Sequence, residues 1–188
     1  MKNNDNLNDN KLFKRLKIVF IGNSKTGKTT FLSKISDNYV DKDAKYIPTI
    51  GGSYASLKKE YKNGEFYLDF WDTSGVEKYY SLIKYFYNNA DAILIFYDSY
   101  DTKSFEKAQK MLDDCKIFIT KNPLIALVRS RYDEYLKIND DKNIVSDEEA
   151  LEFADLNNIY FLHLSSFEKY ENGVNELIKF VSKKLLNE

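Results

Sequence analysis

Short segments made almost entirely of apolar residues recur along this chain. They are Leu16–Ile21, Ala92–Tyr97, Pro123–Val128 and Ile159–Leu164. Runs of this length that are rich in β-branched and aromatic side chains are typical of strands. The two most apolar, Ala92–Tyr97 and Pro123–Val128, have the continuous apolar character of parallel strands covered on both faces. The pattern therefore predicts four strands, of which these two are buried and parallel.

A fifth and a sixth strand are predicted on either side of a tight turn. Ser53–Tyr61 and Glu65–Trp71 are separated by Lys62-Asn63-Gly64. Asn-Gly adopts the positive φ angles that a short hairpin turn requires. The two segments are therefore expected to pair in an antiparallel manner.

Between the strands, apolar side chains recur three or four residues apart, as on one face of a helix. This spacing predicts helices at Thr29–Asp37, Thr102–Thr120 and Gly173–Leu186. Another helix is expected after Ser146, because Glu149 follows three residues later and completes a capping box. No Pro/Gly/Ser-rich linker and no repeat interrupts the alternation. The chain is thus predicted to form one α/β domain over residues 15–188, with a doubly wound, mostly parallel six-stranded sheet and about five helices.

Composition narrows the classes of function. The chain has 188 residues and a formal net charge of −1, which gives no basic field for nucleic acid. Cys115 is the single cysteine, so the sequence offers no intramolecular disulfide and fits a reducing, intracellular setting. No apolar run approaches the roughly 18 residues of a membrane span. Residues 1–14 begin with an Asn- and Asp-rich stretch and are expected to form a disordered tail.

The most specific motif lies directly after the first predicted strand. Residues 22–29 read Gly-Asn-Ser-Lys-Thr-Gly-Lys-Thr, a complete G-x-x-x-x-G-K-[ST] loop that leads into a predicted helix. In such a loop, backbone N–H groups and the helix N-terminus attract phosphate. Lys28 would reach the β- and γ-phosphates, and the Thr29 hydroxyl would bind Mg²⁺. The alternative is a Gly/Lys turn that holds no ligand, which the flanking strand and helix disfavour.

Two downstream segments carry residues that suit the same site. Asp72 follows the strand Glu65–Trp71 and is followed by Gly75. A carboxylate there can hold Mg²⁺ through water, and a glycine N–H can approach a γ-phosphate. Thr49, between the loop and this strand, supplies a hydroxyl that would complete the metal's ligands.

At this point the chain resembles the Ras superfamily of small GTPases, over residues 15–186, and most closely its Rab branch. Residues 71–75, Trp-Asp-Thr-Ser-Gly, are similar to W-D-T-A-G of that branch. Residues 49–54 are similar to T-I-G-V-D-F, and residues 97–105 to Y-D-x-x-x-x-x-S-F. The resemblance implies the G-domain form of the P-loop NTPase fold, GTP or GDP as ligand and Mg²⁺ as cofactor.

The resemblance also assigns roles to individual residues. Thr29, Thr49 and, through water, Asp72 would hold Mg²⁺. Thr49 and Gly75 would sense the γ-phosphate, and Lys28 and Gly75 would assist hydrolysis. Tyr54, Trp71 and Phe86 would form an aromatic trio that effectors contact, although ordinary packing beneath the switch segments explains them equally well. The nucleotide-binding set is Asn23, Ser24, Lys25, Thr26, Gly27, Lys28, Thr29, Thr30, Tyr39, Thr49, Gly75, Arg131, Asp133, Ser165, Ser166 and Phe167.

Three positions depart from the family pattern. Val76 stands where the family has the glutamine that orients the attacking water. Losing one such contact typically costs about 10²–10³ in rate, so slow hydrolysis is expected unless another residue or a partner supplies the contact.

The base-reading motif N-K-x-D is Ser130-Arg131-Tyr132-Asp133 here. Asp133 would still accept from guanine and reject adenine, and the planar Arg131 group would lie over the base. Ser130 is too short for the contacts of the asparagine, so weaker guanine binding is expected. A solvent-exposed Arg/Asp loop without a base contact is the alternative.

The third departure is Ser165-Ser166-Phe167 in place of S-A-K. A backbone N–H of this loop would contact guanine O6, while Phe167 either packs on the nucleotide or turns into the core. Tyr39 is the candidate for the aromatic side chain that stacks on the base from the first switch. His163, the single histidine, is expected to pack at a strand end rather than to act in catalysis.

Two classes of function follow. The first is a Rab-like guanine-nucleotide switch in membrane traffic, with effectors, an exchange factor and a GTPase-activating protein as partners. It would be cytoplasmic and peripheral to endomembranes. The second is a pseudo-GTPase scaffold that holds nucleotide permanently or not at all. The C-terminus has no prenylation cysteine, so the sequence as given does not support membrane contact; either the protein carries no lipid or the sequence is part of a longer chain.

Overall fold

The computed structural model describes residues 12–38, 52–61, 64–75, 80–130, 144–165 and 172–186. Its elements are β1 (Leu12–Gly22), α1 (Lys28–Asn38), β2 (Gly52–Tyr61), β3 (Gly64–Thr73), α2 (Tyr80–Tyr87), β4 (Ala92–Asp98), α3 (Thr102–Phe118), β5 (Leu124–Ser130), α4 (Asp147–Leu156), β6 (Tyr160–His163) and α5 (Asn172–Leu186). The strands form a sheet in the order β2-β3-β1-β4-β5-β6. All described neighbours are parallel except β2 and β3. The predicted six-stranded, mostly parallel α/β fold is confirmed.

Strand β1 is longer than its apolar pattern predicts. It begins at Leu12, which pairs with Gly64 of β3, so residues 12–14 belong to the sheet and not to the predicted tail. Arg15 explains the extension, since its guanidinium donates to both carboxylate oxygens of Asp69 at 2.7 and 2.6 Å. The Arg15 side chain is 46% exposed, so this end of the strand is only partly covered and polar residues are compatible with it.

The antiparallel pair β2–β3 confirms the predicted hairpin. Its register runs from Gly52 opposite Thr73 to Tyr61 opposite Gly64, while Lys62 and Asn63 of the turn lie outside the described residues. Because side chains alternate between the faces of a strand, this register brings Tyr54 beside Trp71 and Ser56 beside Asp69.

Two hydrophobic layers cover the sheet, one on each face. Ile18 and Phe20 of β1 lie in the layer that also contains residues of α1 and α5. Val19 and Ile21, which point the other way, lie in the layer with residues of α2, α3 and α4. Burial on both faces explains why the central strands read as nearly continuous apolar runs.

Helix ends follow local signals. The Ser146 hydroxyl accepts from the N–H of Glu149 at 3.1 Å, as predicted for α4. Helix α3 ends at Phe118, two residues before the predicted end, because Ile119 adopts extended backbone angles. Within the described part of the chain, none of the helices is long and apolar enough to cross a membrane.

Candidate nucleotide site

The phosphate loop joins β1 to α1 at the carboxyl edge of the sheet. Gly22 and Gly27 have φ angles of 144° and 85°, in the region that glycine adopts without strain. A Cβ on Gly22 would lie 2.3 Å from the carbonyl oxygen of Phe96. The Thr26 hydroxyl closes the loop by donating to the Asn23 carbonyl at 2.8 Å. Asn23, Ser24 and Lys25 form the loop, and Thr30 is exposed on the first turn of α1.

Lys28 projects into this loop. Its ammonium donates to the carbonyl oxygens of Gly22 at 2.8 Å and Asn23 at 2.7 Å. The side chain is buried, and burial lowers the pKa of Lys28 to about 8, against the opposing attraction of Asp72. An ammonium held this way is poised to exchange neutral carbonyl acceptors for anionic ones.

Thr29 and Asp72 meet although 43 residues separate them in sequence. The Thr29 hydroxyl donates to Oδ2 of Asp72 at 2.6 Å. The other carboxylate oxygen, Oδ1, is buried and has no hydrogen-bond partner among the described residues. Burial raises the pKa of Asp72, while the Thr29 hydrogen bond and the Lys28 charge oppose the shift. A buried carboxylate oxygen left this way beside a hydroxyl is chemically suited to a hard cation or its water.

Gly75 packs directly on the phosphate loop. Its carbonyl accepts from the Ser24 N–H at 3.1 Å. A Cβ at this position would lie 2.4 Å from the Ser24 nitrogen and 2.5 Å from the Asn23 carbonyl carbon. The glycine that the sequence assigns to γ-phosphate sensing is therefore in contact with the loop that would hold the phosphates.

Ser130, at the end of β5, supports the loop from the other side. Its hydroxyl donates to the Tyr97 carbonyl at 2.9 Å, and its carbonyl accepts from the Ser99 hydroxyl at 2.8 Å. A Cβ built on Gly27 would lie 3.5 Å from the Ser130 Cβ. Ser130 is therefore a buried support for the phosphate loop, a role that sequence reasoning did not anticipate.

Of the remaining predicted site residues, the structure describes Ser165 but not the others. Ser165 is buried two residues after the end of β6, so it lies at the same edge of the sheet as Gly22 and Ser130. The others lie outside the described residues: Tyr39, Thr49, Val76, Arg131, Asp133, Ser166 and Phe167.

Arg129 was not identified from the sequence. It is 0 % exposed, and it donates to the Tyr97 hydroxyl at 2.7 Å. It also pairs with Asp147 and donates to the carbonyls of Val145 and Ser146 at 2.8 and 2.9 Å. These contacts fasten the end of β5 to the start of α4. The sequence did contain a signal for this role, because Arg129 directly follows the apolar run Pro123–Val128. A charged side chain that is buried with such a strand requires polar partners.

The aromatic trio is brought together by the fold. The rings of Tyr54 and Trp71 are 4.8 Å apart, and those of Trp71 and Phe86 are 6.1 Å apart. All three side chains are half-buried, so they pack on one another and still present surface to solvent. The Tyr54 hydroxyl donates to Asp69 at 2.8 Å, and burial is the main cause of the raised pKa of Tyr54.

His163 is half-buried at the end of β6, and its ring packs on Phe161 with centroids 4.4 Å apart. Burial lowers the pKa of His163. The predicted packing role at a strand end is confirmed.

Comparison with known proteins agrees with this geometry. The sequence model of the Ras family matches residues 17–187. The chain is 34% identical over 152 residues to GTP-binding protein YPT1 of Saccharomyces cerevisiae, covering 81% of this chain and 70% of that protein. It is 30% identical over 172 residues to Ras-related protein Rab-17 of Mus musculus, covering 90% and 75%. It is 28% identical over 179 residues to Ras-related protein Rab-5A of Dictyostelium discoideum, covering 95% and 84%. The chain is therefore a Rab-like small GTPase of the Ras family.

Proposed function

We propose that this protein is a Rab-like molecular switch that binds GTP and GDP with Mg²⁺ and hydrolyses GTP slowly. The observation that carries the proposal is the phosphate loop itself: a buried Lys28 ammonium lies within it, and the Thr29–Asp72 pair lies at its edge. A scaffold without nucleotide has no need of a buried ammonium or of an unpartnered carboxylate oxygen, both of which are costly to bury. This cost favours the switch over the scaffold.

Mg²⁺ fits the residues that the structure describes. The buried Oδ1 of Asp72 has no hydrogen-bond partner among them, and the Thr29 hydroxyl is a neutral oxygen ligand beside it. Thr29 would hold the ion directly and Asp72 through water, with Thr49 as the further ligand that the sequence indicates. When bound, the ion neutralises charge on the phosphate oxygens.

Lys28 and Gly75 would give the site its response to nucleotide. Phosphate oxygens are stronger acceptors than the carbonyls to which Lys28 donates, so nucleotide binding favours the charged ammonium in a site that water does not screen. Gly75 is hydrogen-bonded to Ser24 of the loop. A γ-phosphate on the loop would therefore act directly on the segment that contains Gly75. The difference between GTP and GDP would in this way change the conformation of that segment.

Slow hydrolysis is proposed from Val76. The valine side chain neither donates nor accepts a hydrogen bond, so it does not orient a water as the family's glutamine does.

Guanine selection is assigned to Asp133, with Arg131, Ser165, Ser166, Phe167 and Tyr39 around the base. Tyr54, Trp71 and Phe86 are proposed as the effector contact, with an exchange factor and a GTPase-activating protein as further partners.

The cellular role proposed is vesicle or membrane traffic, with the protein in the cytoplasm and at the periphery of endomembranes. The support for this is its similarity to Rab-named proteins over most of their length. Which membrane is involved would follow from the effectors that the aromatic trio recognises.

The nucleotide itself is tested by extracting and chromatographing what copurifies with the protein, and by titration calorimetry with GTP and GDP. Lys28→Ala and Thr29→Asn should each reduce affinity by about a hundredfold or more, because each removes a partner of charged oxygens. Lys34→Ala, on the same helix α1, is the matched control and should bind normally. Unchanged GTP affinity in both site variants would refute the site.

Slow hydrolysis is tested with Val76→Gln in single-turnover assays. The variant should hydrolyse GTP about tenfold faster or more, with little change in affinity, since the glutamine acts on the transition state. An unchanged rate would mean that another group already positions the water.

A further inference from the structure

A second concave surface lies at the amino ends of the strands, opposite the edge that carries the phosphate loop. This basal groove has a volume of about 710 Å³. It is formed by the starts of β1, β5 and β6 and by the ends of α3 and α5, together with the segment that follows α4. Among the described residues, its apolar lining includes Leu16, Ile119, Leu124 and Leu185.

The basal groove is positively charged in a chain whose formal net charge is −1. Lys14, Lys116, Lys121 and Lys184 line it, whereas Asp91 is the one carboxylate among the described lining residues. Asp91 is already compensated by Lys121, with Nζ and Oδ1 2.8 Å apart.

Two other lysines of the groove contact neutral groups. Lys116 donates to the Asn157 amide oxygen at 2.7 Å, and the Lys184 ammonium lies 4.3 Å from the centre of the Tyr160 ring. An unbalanced positive charge therefore remains in the groove.

Four exposed apolar side chains belong to residues that line the groove or are adjacent in sequence to its lining residues. Tyr160, which lines it, is 42% exposed. Ile117 and Phe118 lie between the lining residues Lys116 and Ile119 and are 72% and 45% exposed. Leu156 directly precedes the lining residue Asn157 and is 79% exposed. Large exposed apolar side chains concentrated in one region mark interaction surfaces.

We propose that the basal groove binds an acidic segment of a partner protein, whose carboxylates meet the lysines while its apolar side chains cover Ile117, Leu156 and Tyr160. Charge complementarity favours an acidic segment, and the adjacent apolar side chains favour a peptide over a free phosphate. Concavity favours an inserted segment over a flat membrane.

The test uses the GDP-loaded protein and two defined probes. One is a fluorescein-labelled peptide in which Glu and Asp alternate with Leu and Phe, with a counterpart carrying Lys at the acidic positions. The other is vesicles of phosphatidylcholine with about one third phosphatidylserine, an anionic surface. The variant is Lys14→Glu/Lys184→Glu. The control is Lys103→Glu/Lys110→Glu, which makes the same charge change at exposed positions of α3 away from the groove.

The acidic peptide should bind the unmodified protein and the control equally, and the groove variant about tenfold or more weakly. Added salt should weaken this binding, and amide NMR shifts should map to the starts of β1, β5 and β6. GDP affinity should be the same in all three proteins, which shows that each is folded.

Three outcomes would overturn the proposal. Binding to vesicles but not to the peptide, lost in the groove variant, would assign the groove to a membrane. Equal binding of the acidic and basic peptides would show no charge recognition. If neither probe binds, the lysines serve only to interact with the C-terminal ends of the helices.

Discussion

Gly75 offers a test of how closely the end of the segment after β3 is held against the phosphate loop. In Gly75→Ala the new Cβ would lie 2.4 Å from the Ser24 nitrogen and 2.5 Å from the Asn23 carbonyl carbon. Both neighbours are backbone atoms, so no side chain can rotate away. Because the φ of Gly75 is not positive, the penalty comes from this contact and not from the conformation of the residue itself.

The size of the effect follows from that geometry. Bringing the contact to an ordinary van der Waals distance requires a shift of about 1 Å, and displacements of this size cost about 10² in rate when they affect positioning. The shift would also break the 3.1 Å hydrogen bond from the Ser24 N–H to the Gly75 carbonyl. That loss and the overpacking together should cost about 2–4 kcal/mol of stability.

The assay is single-turnover GTP hydrolysis, measured also in the Val76→Gln background so that a decrease is easily detected. Gly75→Ala should hydrolyse GTP about a hundredfold more slowly, while GDP affinity changes little because Lys28 and Thr29 remain in place. Ser74→Ala is the control, since it changes the neighbouring residue without placing an atom in the loop. A Gly75→Ala protein that hydrolyses GTP at the original rate would refute the reasoning.

Three further predictions concern charge. Burial holds the pKa of Lys28 at about 8 without nucleotide, so the ammonium loses its proton above that pH. Nucleotide affinity should therefore fall above about pH 8 and be flat below it. Calorimetry at about this pH, in buffers of different ionisation enthalpy, should show proton uptake on binding, and its absence there would contradict the prediction. Arg129→Met should lower the free energy of unfolding, measured by urea denaturation, by about 2–4 kcal/mol. Asp147→Asn should lower it less, because Asp147 is half-buried. Equal decreases in the two variants would contradict this prediction. Asp133→Ala should weaken GTP binding by about 1–3 kcal/mol without weakening ATP binding, and an unmodified protein that binds both equally would show that Asp133 does not read the base.

Much of this protein could be predicted from local sequence. The phosphate loop is a contiguous motif whose glycines, lysine and threonine act within eight positions, so its geometry depends mainly on neighbours in the chain. The central strands were identified because burial on both faces requires unbroken apolar runs. The Ser146 cap was predicted because its hydrogen bond to Glu149 spans three residues.

Tertiary structure decided the features that depend on residues far apart in the chain. Arg15 lies in a strand because Asp69, 54 residues away, accepts its hydrogen bonds. The spacing of apolar residues along the sequence does not predict such a pair. Arg129 is buried because Tyr97 and the carbonyls before α4 surround it, and Ser130 supports the phosphate loop because parallel pairing places it beside β4. The basal groove likewise arises where the amino ends of separate strands meet the ends of helices. A sequence pattern records which face of an element is apolar, whereas only the assembled sheet determines which polar side chains meet across it.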